Sequence, residues 1–466
     1  MMRSLVVTMA LSAASSIGDA GATAGWITNG QLAEWEEGKP LGWELRSHRA
    51  EVEPVLDRAE DGDNRSWARL ASLANGLSMG WLEQRVNTPK VASDLPWLRF
   101  SCRVKLEGGL GPVENARIAL QWKKVPGGKG WRPNRSFFIP IPPVDETGTS
   151  APEMLLPILP GSPGITIMLI QYGGRAGAVS FTDIQLTPVA APPPRRVKLA
   201  TAYYVPKGRG DWTRNLAGVA QLTAQAAEQS CDLILFGEGL SVVGTGRGYA
   251  EVAEPIPGPH SDQLAELARK HKIFLAAGLY ERESQACYNT AVLFNREGQL
   301  IGKYRKVHLP FPELYGGLQP GHEFPVFDTE LGRIGLQICY DHHFVETARC
   351  LAMNGAEIIL TPIWGDMRSD GEVYESVARS RAVDNGVFYV TSIYSNRRSL
   401  IIDPHGRILG ETSGDEPALA IAELDLNACK AANQPYRIPA NFQLNHPAER
   451  RPSAYGPLAR PSTQRE

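Results

Sequence analysis

Three consecutive prolines, at positions 192–194, constrain the fold of this 466-residue chain more than any other feature. Proline has no backbone N–H and a fixed φ, so such a run can enter neither a helix nor the centre of a sheet. Residues 190–196 are therefore predicted to form an extended linker. The chain is longer than one hydrophobic core usually organises, which favours a separate domain on each side.

Residues 1–24 have the pattern of an export signal. Arg3 precedes the apolar run 5–14, and the small residues at 22–24 offer a cleavage site. That run is too short to span a bilayer, and no other segment is long and apolar enough to be a transmembrane helix. We predict export to the periplasm or the extracellular space, and a cytoplasmic protein if the signal is not used.

Residues 25–189 are predicted to form an all-β domain. Short runs of alternating apolar and polar residues are separated by clusters of glycine, proline and aspartate, and helical periodicity is scarce. The clearest of these runs are 97–106, 117–123, 164–171 and 178–189. This pattern is typical of an antiparallel β-sandwich.

Residues 197–430 have a different rhythm, in which strands and helices alternate. Helices are predicted at 213–229, 261–272 and 370–385, and strands at 232–236 and 333–339 among others. This alternation predicts an α/β domain with buried sheets. Residues 431–466 are polar, rich in proline and without periodicity, and are predicted to be a C-terminal arm or tail.

The charge balance argues against some classes of partner, and the cysteine spacing argues against some classes of structural site. With 48 basic and 50 acidic residues the net charge is -2, so there is no electrostatic reason to expect nucleic acid or an anionic membrane. The six cysteines show neither CxxC spacing nor neighbouring histidines, which argues against a zinc site and against a dense disulfide framework. A small-molecule substrate and no metal are the expectation.

Three reactive residues follow predicted strands of the α/β domain. Glu238 comes after an apolar strand, Cys339 ends another, and Lys306 ends a third. Strand ends in α/β sheets are where substrates bind. A carboxylate base, a thiol nucleophile and an ammonium facing a developing oxyanion suffice for acyl transfer through a thioester. A helix starting near His342, together with the lysine, is expected to favour the thiolate of Cys339.

In these motifs the chain resembles the nitrilase, or carbon-nitrogen hydrolase, superfamily. The glutamate, lysine and cysteine motifs are matched in order by residues 232–238, 302–309 and 335–341, with further matches at 288–291 and 354–359. The resemblance implies a four-layer αββα sandwich that pairs as a homodimer and uses neither metal nor organic cofactor.

The resemblance also implies a role for each residue. Glu238 would be the general base, Cys339 the nucleophile, and Lys306 with the backbone N–H of Tyr340 the oxyanion stabilisers. Some relatives use a further glutamate after the lysine. Glu313 is the best candidate for it, and Glu323 is the alternative.

The chain departs from the family pattern at two places. At a third place, its residues indicate which of the family's reactions it catalyses. Gly237 stands where the family usually has proline, which is expected to loosen the backbone that holds the base. Residues 203–204 are both tyrosine where a glutamine is common, so the pocket floor is expected to differ. Tyr340-Asp341 follows the cysteine, as in many amidases and N-carbamoyl hydrolases, whereas nitrilases commonly have Trp-Glu. We therefore predict hydrolysis of a linear amide or ureido bond, with nitrile hydrolysis as the alternative.

The all-β domain carries a second resemblance. Residues 29–30, 40–44 and 179–184 are similar to the first and last strands of the galactose-binding-like jelly rolls in carbohydrate-binding modules. This implies a glycan ligand, on which Trp122 or Trp131 could stack unless both belong to the core. A competing hypothesis from another class is therefore a glycan-binding module that carries an inactive hydrolase domain.

Overall fold

The computed structural model describes residues 26–73, 78–87, 95–111, 115–123, 135–139, 141–159, 161–174, 177–205, 210–365, 372–394, 398–414, 416–432, 450 and 454–459. The predicted export signal, Trp131 and most of the predicted tail lie outside these residues. Within the described ranges, no helix combines the length and apolar character needed to cross a membrane.

The residues before the linker form two antiparallel sheets that face each other across one hydrophobic core, and a small hairpin. Along the strand at 97–107, buried and less buried side chains alternate, as expected where one face of a sheet is covered. The strands are β1 (Trp35–Glu36), β2 (Lys39–Pro40), β3 (Glu44–Arg46), β4 (Val55–Glu60), β5 (Ser66–Ala71), β6 (Ser78–Asn87), β7 (Trp97–Glu107), β8 (Ala116–Trp122), β9 (Arg135–Ile139), β10 (Thr149–Ser150), β11 (Glu153–Pro157), β12 (Gly164–Gly174) and β13 (Ala178–Val189).

One of these sheets has the order β10-β7-β13-β5-β4 with β11 also paired to β7, and the other has the order β3-β6-β12-β8-β9. The N–H of Ile184 donates to the carbonyl of Gly30 at 2.8 Å, so the first and last segments of the domain meet. The all-β architecture agrees with the alternating pattern of the sequence. The narrower jelly-roll assignment and the glycan ligand stay predictions.

Trp122 belongs to the core, so of the two interpretations left open for it, sugar stacking is excluded. Its side chain is fully buried in the sandwich core, and Trp43 is buried as well. Large aromatic side chains bury much apolar area, and these two contribute it to the core rather than to a binding face.

The residues after the linker form two six-stranded sheets stacked face to face. Their orders are β18-β17-β16-β15-β14-β25 and β19-β20-β21-β22-β23-β24, with parallel pairing in β14-β15-β16 and in β20-β21-β22. The strands are β14 (Arg196–Tyr203), β15 (Leu233–Leu235), β16 (Phe274–Glu283), β17 (Ala286–Phe294), β18 (Leu300–Arg305), β19 (Val326–Thr329), β20 (Gly332–Leu336), β21 (Ile358–Ile363), β22 (Phe388–Ile393), β23 (Leu400–Ile402), β24 (Ile408–Glu411) and β25 (Ala418–Asp425).

Helices cover the outer face of each sheet. The helices are α1 (Trp212–Glu228), α2 (Tyr249–Val252), α3 (Pro259–His271), α4 (Phe311–Tyr315), α5 (Val345–Met353), α6 (Glu372–Asn385) and α7 (Asn427–Ala432), with 3-10 helices at Ala50–Val52, Cys339–His343 and Gly456–Ala459. One apolar cluster joins α1 and α3 to the first sheet, a second fills the space between the sheets, and a third joins α5 and α6 to the second sheet. The layers are therefore helix, sheet, sheet, helix, and the α/β prediction is confirmed.

The sequence of α1 explains why this outer layer forms. The side chain of Asp211 accepts a hydrogen bond from the N–H of Arg214 at 3.1 Å and so caps the first turn. Val219, Leu222 and Ala226 recur at helical spacing and are buried against the sheet. The same reasoning from sequence predicts a helix at 213–229, one residue from the observed bounds.

Candidate active site

The three predicted catalytic residues lie together in one cavity of about 550 Å³. Glu238 follows β15, Lys306 follows β18, and Cys339 follows β20, so the two sheets bring the three strand ends together. Glu313 and Tyr340 also line this cavity, whereas the alternative Glu323 lines a separate one of about 270 Å³. Every residue predicted for the site is therefore found at one place.

Lys306 is almost fully buried between two carboxylates. Its Nζ lies 2.9 Å from Oε1 of Glu238 and 3.0 Å from Oε1 of Glu313. Burial alone would lower the pKa of Lys306, but the negative charges of Glu238 and Glu313 raise it above its usual range. The side chain is therefore a fixed ammonium and not a base.

Both carboxylate oxygens of Glu238 are held by donors. Oε1 accepts from the side-chain amide of Asn289 at 2.6 Å as well as from Lys306, and Oε2 accepts from the backbone N–H of Trp364 at 2.7 Å. Burial raises the pKa of Glu238, but the charge of Lys306 and these hydrogen bonds outweigh it and leave the pKa lowered. Glu238 is thus ionised at neutral pH, as a general base must be.

Glu313 lies in the short helix α4 and has one oxygen without a protein partner. Oε1 accepts from Asn289 at 2.8 Å and from Lys306, while Oε2 is buried and has no hydrogen-bond partner among the described atoms. Burial and the negative charge of Glu238 raise the pKa of Glu313 to about 7, against the opposing effect of Lys306. Its protonation state therefore changes near neutral pH.

The surroundings of the Cys339 thiol oppose the expected shift toward the thiolate. Burial and the charge of Glu238 raise the pKa of Cys339 above its usual range, although Lys306 opposes them. The helix expected to start near His342 is instead a 3-10 helix that begins at Cys339, and α5 begins only at Val345. A thiol with a raised pKa requires a base to take its proton before it can act as a nucleophile.

The backbone at the cysteine is strained. Cys339 has a φ of +41°, in the left-handed region that L side chains seldom adopt. It is the first residue of the 3-10 helix and Tyr340 is the second. The first N–H groups of a helix have no acceptor within it, so the N–H of Tyr340 is suited to bind an oxyanion.

Several residues of the site were not predicted from the sequence. Asn289 bonds both glutamates, Trp364 bonds Glu238, and the rings of Tyr249 and Tyr280 stack at 4.8 Å along the cavity wall. Asn289 is a polar residue at the start of an apolar strand, which is a signal that could have been used. Trp364 contacts Glu238 through its backbone N–H, and because every non-proline residue has this group, the identity of the side chain gives no signal of the contact.

The departure at Gly237 has a packing explanation. A Cβ at this position would lie 2.5 Å from Cε1 of Tyr394, whose buried ring occupies the space of the missing side chain. The ring of Tyr394 therefore packs against the backbone at Gly237, just before Glu238, where the glycine was expected to loosen the chain. Among the described residues that line the cavity, neither Tyr203 nor Tyr204 is present, so the predicted change of the pocket floor at these positions is not found.

Within the described part of the chain, no cluster of histidine, cysteine, aspartate or glutamate side chains has the arrangement of a metal site. All six cysteines are free thiols. The cavity brings together a buried ammonium, two carboxylates and a thiol, and these groups suit acyl transfer.

The chain is similar to known hydrolases. The model of the carbon-nitrogen hydrolase family matches residues 199–434. The omega-amidase of Homo sapiens is 31% identical over 230 residues, which are 46% of this chain and 83% of that protein. A hydrolase of Schizosaccharomyces pombe is 31% identical over 243 residues, which are 48% of this chain and 75% of that protein. Among solved structures, a double mutant of the amidase from Nesterenkonia sp. AN1 in complex with acrylamide has a TM-score of 0.48 at 23% identity and covers 57% of this chain and 99% of its own.

Proposed function

Because this chain belongs to the carbon-nitrogen hydrolase family, we propose that it hydrolyses a linear amide through a thioester on Cys339. The observation that carries the proposal is the buried Lys306, held between Glu238 and Glu313 beside a thiol that opens to the cavity. A buried ammonium between two carboxylates is costly to desolvate and is a weak source of stability, so a catalytic use accounts for it better. The name of the omega-amidase relative supports the amide as the bond cleaved.

The first half of the reaction forms the thioester. Glu238 takes the proton of Cys339 as Sγ attacks the amide carbon, and the carbonyl oxygen becomes an oxyanion. Lys306 and the N–H of Tyr340 stabilise that charge. Glu238 then gives the proton to the amide nitrogen, the carbon-nitrogen bond breaks, and ammonia or an amine leaves.

The second half releases the acid. A water molecule gives a proton to Glu238 and adds to the thioester carbon, which regenerates an oxyanion at the same position. When this intermediate collapses, the carbon–sulfur bond breaks and Sγ of Cys339 recovers the proton from Glu238. The products are a carboxylic acid and the enzyme in its starting state.

An N-carbamoyl group or a nitrile could enter the same cycle. Attack on a ureido carbon would release ammonia and carbon dioxide and leave an amine, and a nitrile would take up a second water to give the acid and ammonia. Tyr340-Asp341 after the nucleophile favours the amide or ureido substrate. The homodimer and the export of the protein remain predictions from the sequence.

The test is ammonia and carbon dioxide release from a panel of amides, N-carbamoyl amino acids and nitriles. We expect ammonia from amides, with a loss of at least about 10³-fold in Cys339→Ala because the thiol forms the covalent intermediate. Cys350→Ala is the matched control, since Cys350 is also a half-buried thiol but does not line the cavity.

The outcomes separate the alternatives. Carbon dioxide from N-carbamoyl substrates would assign the ureido class, and turnover restricted to nitriles would assign the nitrilase alternative. Equal background release by the wild-type protein and Cys339→Ala on every substrate would contradict the enzyme proposal and favour a binding module with an inactive hydrolase domain.

A further inference from the structure

We propose that the substrate of this site carries an uncharged aromatic or apolar group a short spacer away from its amide, and that Phe311 and Tyr315 bind that group. This inference rests on the hydrolase function proposed above and names the class of substrate. It is carried by three features of the described residues, namely the walls of the cavity, its rim and its charge.

The walls of the cavity are aromatic. Tyr249 and Tyr280 stack on each other, and Trp364 lies beside Glu238, to which its backbone is bonded. Phe311 and Tyr340 line the same cavity. Aromatic faces bind flat or apolar groups by burying area, at about 25 cal/mol for each Å² removed from water.

The rim continues this apolar surface into solvent. On the short helix α4, Phe311 is 75% exposed and Tyr315 is 84% exposed, and their rings stack with centroids 5.9 Å apart. Leu314 is exposed between them. Because Phe311 belongs both to the cavity and to this patch, a group leaving the cavity meets the patch directly. The continuity with the reaction site favours the substrate as the occupant of the patch.

The charge of the site disfavours an acidic substrate. Lys306 is already bound by two carboxylates, so Glu238, Lys306 and Glu313 together carry no net charge when Glu313 is protonated and one negative charge when it is ionised. His343 is the only other basic side chain among the described lining residues, and it lies at the exposed edge. Among the described residues, a carboxylate near the scissile amide would therefore find no second buried cation and would face Glu238.

The experiment compares three substrates that share a primary amide and a linear three-carbon spacer, namely 4-phenylbutanamide, butanamide and glutaramate. We expect kcat/KM for the phenyl amide to exceed that for glutaramate by at least about tenfold, because burial of one ring contributes that much or more. Phe311→Ser and Tyr315→Ser should each reduce the advantage of the phenyl amide over butanamide by about threefold to tenfold. Leu409→Ser is the control, since Leu409 is an exposed apolar residue that does not line the cavity.

Turnover that depends on Cys339 but is equal for all three amides, or greatest for glutaramate, overturns this inference and leaves the hydrolase function standing. If no amide is hydrolysed, the proposed amide hydrolysis fails. Titration of the same compounds into Cys339→Ala then tests this inference separately, because it predicts a lower dissociation constant for the phenyl amide than for glutaramate. Light scattering is run in parallel. A change of molecular mass in Tyr315→Ser with an unchanged substrate ratio assigns the patch to a second copy of the chain and also overturns the inference.

Discussion

Glu238 and Glu313 bind the same ammonium, yet their surroundings separate their pKa values. Glu238 has donors on both oxygens, and its pKa is lowered because Lys306 and these donors outweigh burial. Glu313 has donors on one oxygen only, and burial beside Glu238 raises its pKa to about 7. Two carboxylates with separated pKa values can take different roles, and here the ionised one is suited to be the base.

We predict that kcat/KM decreases as the pH rises through about 7. In Glu313→Gln this decrease should be absent. Below that pH Glu313 is protonated, so the charge of Lys306 is compensated by Glu238 alone and stabilises the oxyanion better. Above it, ionised Glu313 offsets more of the ammonium charge. Glutamine resembles the protonated form, so the variant should keep the low-pH rate. Rates measured from about pH 5 to about pH 9 provide the test.

Glu323→Gln is the control for this profile, because Glu323 lies outside the cavity of Lys306. In Glu323→Gln, kcat/KM should decrease near pH 7 as it does in the wild-type protein. If kcat/KM still decreases near pH 7 in Glu313→Gln, the decrease belongs to another titrating group and the prediction is wrong.

At the scale of elements, one buried aspartate ties the turn after β20 to the end of β18. The carboxylate of Asp341 accepts from the hydroxyl of Tyr304 at 2.7 Å and from the N–H of Ile338 at 3.1 Å. It also accepts from the N–H of His308 at 2.9 Å, and Nδ1 of that residue lies at 2.8 Å. Lys306 and Cys339 belong to the two segments that Asp341 connects, so their separation depends on these bonds.

We predict that Asp341→Asn lowers kcat by about 10²-fold with a smaller change in KM, because displacement of the nucleophile turn by a fraction of an ångström affects the reaction more than binding. The new amide would direct an N–H at groups that are themselves donors, which costs about 1–3 kcal/mol for a buried unpaired group. Steady-state kinetics, with circular dichroism as the check of folding, measure this.

Asp328→Asn is the matched control, because that carboxylate is exposed and pairs only with Arg333 among its described contacts. Tyr304→Phe removes one donor and should cost less than Asp341→Asn. Equal KM and kcat in Asp341→Asn and the wild-type protein would show that the turn is positioned by other contacts.

The elements were predictable because their patterns are local, whereas the contacts between them were not. The apolar spacing of 213–229 and the apolar run before Glu238 predict α1 and β15 within a few residues. The stacking of Tyr249 on Tyr280 and the bond from Trp364 to Glu238 join segments far apart in sequence, and no local pattern encodes them. The raised pKa of the Cys339 thiol was not predicted for the same reason, since its burial and its closeness to the charge of Glu238 arise only on folding.

At the scale of the whole molecule, the described residues form separate cores on the two sides of the linker. The core of the sandwich is drawn only from residues up to 186, and the cores of the α/β domain begin at residue 197. Phe181 is fully buried in the first, and Leu424 is fully buried in the second. Units that share no core residues are expected to unfold in separate cooperative transitions.

We therefore predict two transitions in differential scanning calorimetry, each sensitive to one of two variants. Phe181→Ala removes a buried ring and should cost about 3–5 kcal/mol, which lowers the midpoint of the sandwich transition by roughly 10 °C. Leu424→Ala is its counterpart and should lower only the other transition, at a cost of about 2–5 kcal/mol. Amide hydrolysis at a temperature below both transitions should be unchanged in Phe181→Ala, because none of the described residues that line the active-site cavity precedes the linker. A single transition that both variants shift equally would mean that the two cores unfold as one unit, and the sandwich would then be part of what stabilises the hydrolase.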